Sequence, residues 1–249
     1  GSESNPFKTL THASSLLTAG DTLLVKSGIY HEGSLFRYRK GEPDNPILIA
    51  AAPGDKPIID GSVEIAPDSA AWEQVEDDIY VTTIRDTGEG IGYVAQDGYR
   101  CWMYGSLDDL RNDPLETRRA WFFDGNGNKL YVRTGTGRVP DSHTYNVAKL
   151  SYGVYLEGSR FCIVRGFEIR YFSNVPVRIS GPNTQGNVVI DNVIHGAPGA
   201  VFLKGTDTFD NAVWRNEIYE LGLTDFSWHA IKGSSYARQG IMSYSAGRG

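Results

Sequence analysis

The amino-acid sequence predicts an all-β protein built as a right-handed parallel β-helix, a solenoid whose successive coils stack their strands. The first observation is an internal repeat. VRISGPNTQGNVVIDNVI at residues 177–194 and VFLKGTDTFDNAVWRNEI at residues 201–218 align without a gap at an offset of 24 residues. A third copy, VYLEGSRFCIVRGFEI at residues 154–169, begins 23 residues before the second. Self-similarity at a nearly fixed period is typical of solenoids, in which each repeat buries its apolar face against its neighbours.

The second observation is the content of each copy. Short alternating apolar runs are broken by Gly, Asn and Asp, and no run is long enough for a helix, which excludes the helical repeats. Asn192 and Asn216 align at the same position of adjacent coils. We expect them to be structural turn residues, because Asn tolerates the left-handed conformation and stacked Asn amides form hydrogen-bonded ladders.

A short amphipathic helix is predicted near the start of the chain. Pro6 suits a first helical position, and Gly20 ends the pattern. Apolar residues fall near one face between them, namely Phe7, Leu10, Ala13, Leu16 and Leu17. We expect a helix over residues 7–18 that caps the open edge of the first coil.

The remaining segments suggest three regions. Residues 1–62 contain the cap and the first coils, residues 63–150 a β-rich insertion with aromatic strands, and residues 151–249 the later coils. Within the insertion, Asp124, Asn126 and Asn128 of DGNGNK imitate the start of a calcium loop. The bidentate Glu of such a loop is missing downstream, so a hairpin turn is the favoured interpretation.

Composition narrows the classes of partner. The 249 residues carry a net charge of −6, and no basic tract is interleaved with aromatics, so nucleic acid is not expected. No apolar run has membrane-spanning length. Cys101 and Cys162 show neither metal-site nor redox spacing, and we expect two buried free thiols.

Two segments of the first region resemble a known superfamily. GDTLLVKSGIYHE at residues 20–32 and NPILIAAAPGDKPIIDGS at residues 45–62 are similar to the amino-terminal signature of pectate-lyase-like β-helix proteins, including the chondroitinase B and alginate lyase type. The resemblance covers residues 5–62 and 150–249. It implies a carbohydrate-active protein with an extracellular, periplasmic or cell-surface location, and a polysaccharide groove along the outer face of one sheet.

Strand alternation predicts which side chains face that groove. If the apolar residues of the repeat point inward, their neighbours point to solvent. The inward set is Val154, Leu156, Val177, Ile179, Val201 and Leu203, and the outward set is Tyr155, Glu157, Arg178, Ser180, Phe202, Lys204, Met242 and Tyr244. Aromatic rings that stack on sugars, beside cations that pair with uronate carboxylates, suit an acidic polysaccharide. A solvated sheet face of mixed charge is the alternative.

A long excursion interrupts the repeat near the end. Ile241 matches Val201 at an offset of 40 residues instead of 24, and the excess falls in LTDFSWHAIKGSSYARQ at residues 223–239. Loops on a rigid scaffold often carry binding and catalytic groups. We therefore assign Trp228 to substrate binding and His229, Lys232 and Arg238 to catalysis. The alternative is a surface excursion whose Trp228 packs back on the solenoid.

The resemblance implies β-elimination, in which a cation or calcium neutralises a uronate carboxylate and a base removes the neighbouring C5 proton. Lys204 occupies the position of the family's base, with Gly205 where the family has Ser. The acidic residues that hold calcium are missing before it, and Tyr244 stands where the family has Arg. No cofactor is firmly implied, although calcium is possible. We expect activity to depend on Lys204 with His229, Lys232 and Arg238, without calcium bound in the family's manner.

Two other functions stay open. A glycoside hydrolase needs a pair of carboxylates, for which Glu157, Asp207 and Asp225 are candidates. A non-catalytic solenoid that binds glycans or builds a surface structure is the third reading. The sequence stops at AGRG, where another turn of the repeat would begin. This predicts either a fragment of a longer protein or an open carboxy-terminal end covered by self-association.

Overall fold

A computed structural model describes residues 1–85, 90–112, 119–135, 137–222 and 240–244. The chain begins with one helix and four strands: α1 (Leu10–Ser15), β1 (Thr22–Val25), β2 (Gly28–Tyr30), β3 (Ile47–Ala51) and β4 (Pro57–Asp60). A second group of elements follows: β5 (Ser62–Ile65), β6 (Glu73–Glu76), β7 (Ile79–Thr83), β8 (Val94–Gln96), β9 (Tyr99–Arg100), β10 (Trp102–Met103), α2 (Leu107–Arg111), β11 (Ala120–Asp124), β12 (Lys129–Arg133), a 3-10 turn (Pro140–Ser142) and β13 (Tyr145–Ala148).

The rest of the chain returns to short, regularly spaced strands. They are β14 (Val154–Glu157), β15 (Cys162–Arg165), β16 (Glu168–Arg170), β17 (Val177–Ser180), β18 (Thr184–Gln185), β19 (Val188–Ile190), β20 (Val193–Ala197), β21 (Val201–Lys204), β22 (Thr208–Phe209), β23 (Ala212–Trp214), β24 (Glu217–Leu221) and β25 (Ile241–Tyr244). No helix in the described ranges has the length and apolar character needed to cross a membrane.

Three parallel sheets form the solenoid. Sheet A has the order β1-β3-β15-β19-β23, sheet B the order β2-β4-β16-β20-β24, and sheet C the order β14-β17-β21-β25. Val154 pairs with Val177, and Val177 pairs with Val201, all in parallel register. The backbone register is therefore the one that the repeat alignment predicts, and the predicted all-β parallel β-helix is confirmed.

The core lies between the three sheets. The inward residues predicted for sheet C are buried, and only Leu203 packs at the margin of the core as a partly buried side chain. Each large aliphatic side chain removed from water in this way contributes about 1.5–3 kcal/mol. Stacking of like residues from coil to coil makes this core continuous along the solenoid axis.

Asn192 and Asn216 form the predicted ladder between sheets A and B. The Asn192 Nδ2 donates to Asn216 Oδ1 at 3.0 Å, while Asn192 Oδ1 accepts from the backbone N–H of Phe167 at 3.0 Å. Its Nδ2 also donates to the Val164 carbonyl at 3.1 Å. Asn192 is buried, so its amide satisfies backbone groups that the bend between two strands leaves without ladder partners.

The expected backbone conformation of these asparagines is wrong in one respect. The left-handed residues are those just before them, Asp191 with φ 56° and Arg215 with φ 54°. This arrangement lets the bend turn at an exposed residue and aims the following Asn inward. A second ladder joins Asn187 Nδ2 to Asn211 Oδ1 at 2.8 Å on the other side of sheet A.

The helix near the start of the chain is shorter than predicted. It spans Leu10–Ser15, and its N-cap is Thr9, whose hydroxyl accepts from the His12 N–H, so Pro6 lies outside it. Glu32 explains this start, because its carboxylate accepts from the N–H groups of Leu10 at 2.7 Å and Thr11 at 2.9 Å. Leu10 joins the solenoid core, whereas Phe7 and Leu16 are 37% and 54% exposed.

The segment from β5 to β13 forms two sheets of its own. One has the order β10-β11-β12-β7-β6 and the other the order β5-β13-β8-β9. Trp121, Tyr145 and Cys101 are buried together between them. The segment that imitates a calcium loop is the turn of the β11–β12 hairpin, where Asp124 pairs with Lys129. Both cysteines are free and buried, as predicted.

This segment packs against the carboxyl ends of sheet B. The rings of Tyr93 and Tyr171 stack with centroids 5.7 Å apart, and the Arg100 Nη1 donates to the Leu221 carbonyl at 3.4 Å. A Cβ on Gly92 would lie 1.9 Å from the carbonyl oxygen of Ser173. Only glycine allows the two backbones to approach this closely.

Candidate functional site

The outer face of sheet C carries the predicted outward side chains in two rows. One row is Tyr155, Arg178, Phe202 and Met242, and the other is Glu157, Ser180 and Lys204. The backbone of Tyr244 pairs with Lys204, and the Tyr244 side chain lies outside what the structure describes. Neighbouring strands of a sheet lie about 4.8 Å apart. Five of the predicted site residues, Tyr155, Glu157, Arg178, Phe202 and Lys204, therefore share one face of a rigid sheet.

Arg178 is surrounded by aromatic rings. Its guanidinium carbon lies 4.8 Å from the ring centroid of Tyr152, 5.2 Å from that of Tyr155 and 5.8 Å from that of Phe202. Its Nε donates to the Ser180 hydroxyl at 3.1 Å, and its Nη1 donates to the Tyr152 hydroxyl. These contacts hold the guanidinium plane in one orientation, which is the condition for a fork that recognises carboxylates.

No carboxylate of the described residues pairs with Arg178. Every ion pair recorded for those residues uses other cations. Arg178 is only partly exposed, and a cation that is partly withdrawn from water is normally paired. Arg178 is thus an oriented cation beside three aromatic rings, and no carboxylate of the described residues balances its charge.

Glu157 is held on the same face by two residues of the first coil. The Arg37 Nε donates to Glu157 Oε2 at 2.7 Å, and the Tyr38 hydroxyl donates to the same oxygen at 2.8 Å. Partial burial raises the pKa of the Glu157 carboxyl, but the hydrogen bonds from Tyr38 and Arg37 outweigh it and hold that pKa below its ordinary value. Glu157 is therefore ionised at neutral pH.

The first coil reaches sheet C through an unusual backbone segment. Leu35 makes a single parallel bridge to Val154, and Ser34, Phe36 and Tyr38 all have left-handed conformations, with φ of 54°, 71° and 59°. Leu35 and Phe36 are buried in the core. Their burial anchors the segment and leaves Arg37 and Tyr38 on the outer face.

Lys204 points away from the core, as predicted. It is exposed, and its strand places it in register with Ser180 and Tyr244. From strand spacing and rise, its Cα lies about 8 Å from that of Arg178, diagonally across two neighbouring strands. A ligand of one or two sugar rings is long enough to contact both side chains.

The other predicted residues divide into two groups. Trp228, His229, Lys232, Arg238 and the hydrolase candidate Asp225 lie outside the described residues. Asp207 is described, and its carboxylate accepts from the backbone N–H of Asn183 at 3.0 Å, which is a turn role. The face of sheet C thus contains one carboxylate among its described outward side chains, that of Glu157.

Sequence reasoning missed Arg37, Tyr38 and Tyr152. Arg37 and Tyr38 lie in HEGSLFRYRK, which matches no copy of the repeat, so strand alternation does not place them. The dense alternation of aromatic and basic residues in FRYRK was the available signal. Tyr152 precedes β14 and contacts Arg178 from a neighbouring coil, a contact that requires the stacking to be known.

A second cluster of charged residues lies on sheet B. Arg170 bridges two carboxylates, with its Nε 2.8 Å from Asp60 Oδ2 and its Nη1 2.9 Å from Glu168 Oε1. His195 Nε2 lies 3.2 Å from Glu168 Oε1, and the His195 ring stacks on Tyr219 with centroids 4.6 Å apart. The hydrogen bond from His195, together with Arg170, lowers the pKa of Glu168. Both carboxylates are paired with Arg170, so we interpret this cluster as structural.

Comparison with known proteins gives a likeness in structure. No protein-family model and no curated protein matches the chain. Among solved structures, that of XylC in complex with xylose is similar, with a TM-score of 0.73 and 19% sequence identity over 99% of this chain and 50% of the XylC chain. The likeness shows the parallel β-helix fold, and the chain spans about half the length of XylC.

Proposed function

We propose that the outer face of sheet C binds an acidic polysaccharide and that Arg178 pairs with the carboxylate of a uronic acid residue. The observation that carries this proposal is the environment of Arg178, which has three aromatic rings within 5.8 Å of its guanidinium carbon and no carboxylate partner among the described residues. An ordered guanidinium donates two parallel hydrogen bonds to a carboxylate, and the rings supply apolar surface for the sugar. The proposed location is outside the cytoplasm, where such polymers are found.

The arrangement supports β-elimination as the reaction. Pairing with Arg178 withdraws charge from the uronate carboxylate and makes the C5 proton more acidic. Lys204 in its neutral form would take that proton as general base. The electron pair forms the C4–C5 double bond as the C4–O bond breaks, and the leaving oxygen takes a proton from solvent. A sugar bound across both side chains would present C5 to the Lys204 amine nitrogen.

Hydrolysis of a neutral glycan is the second candidate, and the likeness to XylC favours it. The ligand of that structure is xylose, a pentose without the C6 carboxylate that β-elimination requires. A hydrolase needs two carboxylates at a set separation. Over the described part of sheet C, only Glu157 supplies one, and it is paired with Arg37. The geometry therefore supports elimination better than hydrolysis.

The test is a digest of several uronic acid polysaccharides and xylan, with and without calcium. Ultraviolet absorbance reports unsaturated products, and a colorimetric assay reports reducing ends. Unsaturated products from an acidic polymer are expected. Reducing ends alone indicate a hydrolase, and binding without shortened polymer indicates a binding module.

Arg178→Ala tests whether Arg178 binds the acidic polymer, and Arg215→Ala is its matched control. Arg215 is an exposed arginine on the side of sheet A, paired with Asp191. We expect loss of acidic-polymer binding in the first variant and wild-type binding in the second. Equal binding by both variants, or no binding of any acidic polymer by the wild type, contradicts the proposal.

A further inference from the structure

We infer that Tyr38 and Glu157 form a second sugar subsite on the outer face of sheet C, one that accepts an uncharged sugar and rejects a uronic acid. The inference rests on the proposed function, because it concerns the sugar next to the uronate held by Arg178. It predicts a substrate class: polymers in which a uronic acid alternates with an uncharged sugar, in preference to polymers of uronic acid alone.

The negative charge of Glu157 determines which sugars this subsite favours. Arg37 and Tyr38 both bond the Oε2 atom of Glu157, and Tyr155 adds a further hydrogen bond to this carboxylate. A carboxylate offers about four acceptor positions, so Glu157 keeps capacity to accept a hydrogen bond from a ligand. An ionised carboxylate is a strong acceptor for a hydroxyl or amide N–H group. It also repels a second carboxylate brought close to it in a partly buried place. Glu157 thus favours a sugar that carries donors and no negative charge.

The neighbouring cation does not reverse this preference. The Arg37 guanidinium carbon lies over the rings of both Tyr38 and Tyr155, 5.1 Å from each centroid, and its N–H groups bond Glu157. Arg37 is therefore already paired with a carboxylate, whereas Arg178 is paired with none among the described residues. The two ends of this face differ in the charge that they offer a ligand.

Tyr38 provides an ordered and accessible aromatic ring on which a sugar can stack. The side chain is 53% exposed, its hydroxyl is bonded to Glu157, and a Cβ on Gly158 would lie 3.1 Å from the ring. Bare glycine thus lets the ring lie against the backbone of the next coil. A ring held in this way loses little entropy when the C–H face of a sugar stacks on it.

The backbone of the segment that contains Tyr38 is unusual. Left-handed conformations of non-glycine residues are strained and persist where the surroundings enforce them. The first coil holds three such residues at alternate positions, Ser34, Phe36 and Tyr38. This segment brings Arg37 and Tyr38 together at the Glu157 carboxylate.

The two subsites lie within reach of one short oligosaccharide. Tyr155 lies between them, with its ring centroid 5.1 Å from the Arg37 guanidinium carbon and 5.2 Å from that of Arg178. The two guanidinium carbons are therefore at most about 10 Å apart, a span of about two strand spacings. Adjacent or next-adjacent sugars of a chain laid across the strands would occupy the two subsites.

Binding of two polymers by the purified chain tests the inference. Hyaluronan alternates glucuronate with an uncharged N-acetyl sugar, and polygalacturonate is uronate throughout. We expect calorimetry to show that the wild type binds hyaluronan oligosaccharides more tightly than polygalacturonate oligosaccharides. Glu157→Gln removes the negative charge and keeps a hydrogen-bond acceptor. The affinity for polygalacturonate should therefore rise by about tenfold, equivalent to ~1.4 kcal/mol. The difference in affinity between hyaluronan and polygalacturonate should become smaller.

Tyr38 variants separate stacking from a structural role. Tyr38→Phe keeps the ring and should keep hyaluronan binding within about threefold, whereas Tyr38→Ala should lose about tenfold. Tyr219→Ala, an exposed tyrosine on sheet B, is the matched control and should bind as the wild type does. Thermal unfolding of each variant shows whether the loss follows from unfolding.

The outcomes distinguish this inference from the proposed function. If acidic polymers bind in a manner that depends on Arg178, but Glu157→Gln leaves the preference unchanged, the second subsite is refuted and the proposed function stands. A wild-type preference for polygalacturonate also refutes the subsite. If no acidic polymer binds, or Arg178→Ala binds normally, the proposed function itself fails.

Discussion

The guanidinium carbon of Arg178 lies 4.8 Å from the ring centroid of Tyr152, and its Nη1 donates to the hydroxyl of that same ring. Tyr152 thus contributes to both the position and the orientation of the cation, together with the Ser180 hydroxyl, which accepts from Arg178 Nε. Tyr152 precedes β14 and Arg178 lies in β17, so the contact joins two coils. The relationship makes Arg178 an oriented ligand group on the sheet.

Arg178→Lys should weaken binding of an acidic polysaccharide by about tenfold, although it keeps the positive charge. Lysine is a point charge without the planar fork, and it stacks less well among the three rings. Isothermal calorimetry at fixed ionic strength measures the change. Arg215→Lys should leave binding unaltered, and wild-type affinity in Arg178→Lys would show that only charge matters here.

Lys204→Ala should abolish the unsaturated product while it changes polymer binding by less than about threefold. Removal of a general base typically costs about 10²–10⁴ in rate, and an exposed side chain on a rigid strand adds little to folding. The absorbance assay gives kcat, and calorimetry gives affinity. Lys26→Ala, at another exposed lysine, should be fully active, and full activity in Lys204→Ala would remove the assignment.

Asn192→Ala should lower the free energy of unfolding by about 2–4 kcal/mol, because it leaves buried backbone groups without their amide partners. The affected groups include the Phe167 N–H and the Val164 carbonyl. Urea unfolding followed by circular dichroism measures the loss. Asn126→Ala in the exposed β11–β12 turn should change stability by less than about 0.5 kcal/mol, and similar losses in both variants would argue against the ladder's role.

Glu168→Gln should reduce stability at neutral pH and lose its effect in acid. The hydrogen bond from His195, with Arg170, lowers the pKa of Glu168. The carboxylate's stabilising contribution is therefore fully present above the unfolded pKa of about 4.3 and is lost as pH falls through the lower folded value. Unfolding free energies from pH 7 to pH 3 should show the two proteins converging below about pH 4.

Glu73→Gln supplies the control for that pH series. Glu73 lies in the exposed strand β6, and its variant should follow the wild-type profile throughout. A constant difference between Glu168→Gln and the wild type from pH 7 to pH 3 would mean that the ionised carboxylate is not the source of stability.

Much of the sheet C face was predictable because two periodicities determine it. The repeat at 24 residues aligns Val177 with Val201, and the alternation of a strand then places Arg178 beside Phe202 on the outside. The same offset aligns Asn192 with Asn216. These local patterns recur from coil to coil, so they can be recognised in the sequence as repeats.

The tertiary structure alone decided the contacts that cross coils without repeating. Arg37 bonds Glu157 across 120 positions of sequence, and Asp60 bonds Arg170 across 110, with the segment from β5 to β13 lying between the partners. No periodicity relates such residues, because their distance depends on how the intervening chain leaves the solenoid and returns to it. The sequence by itself determined the coils, the core and the row that contains Arg178, while the pairing of Glu157 with Arg37 and Tyr38 arose only when the coils were stacked.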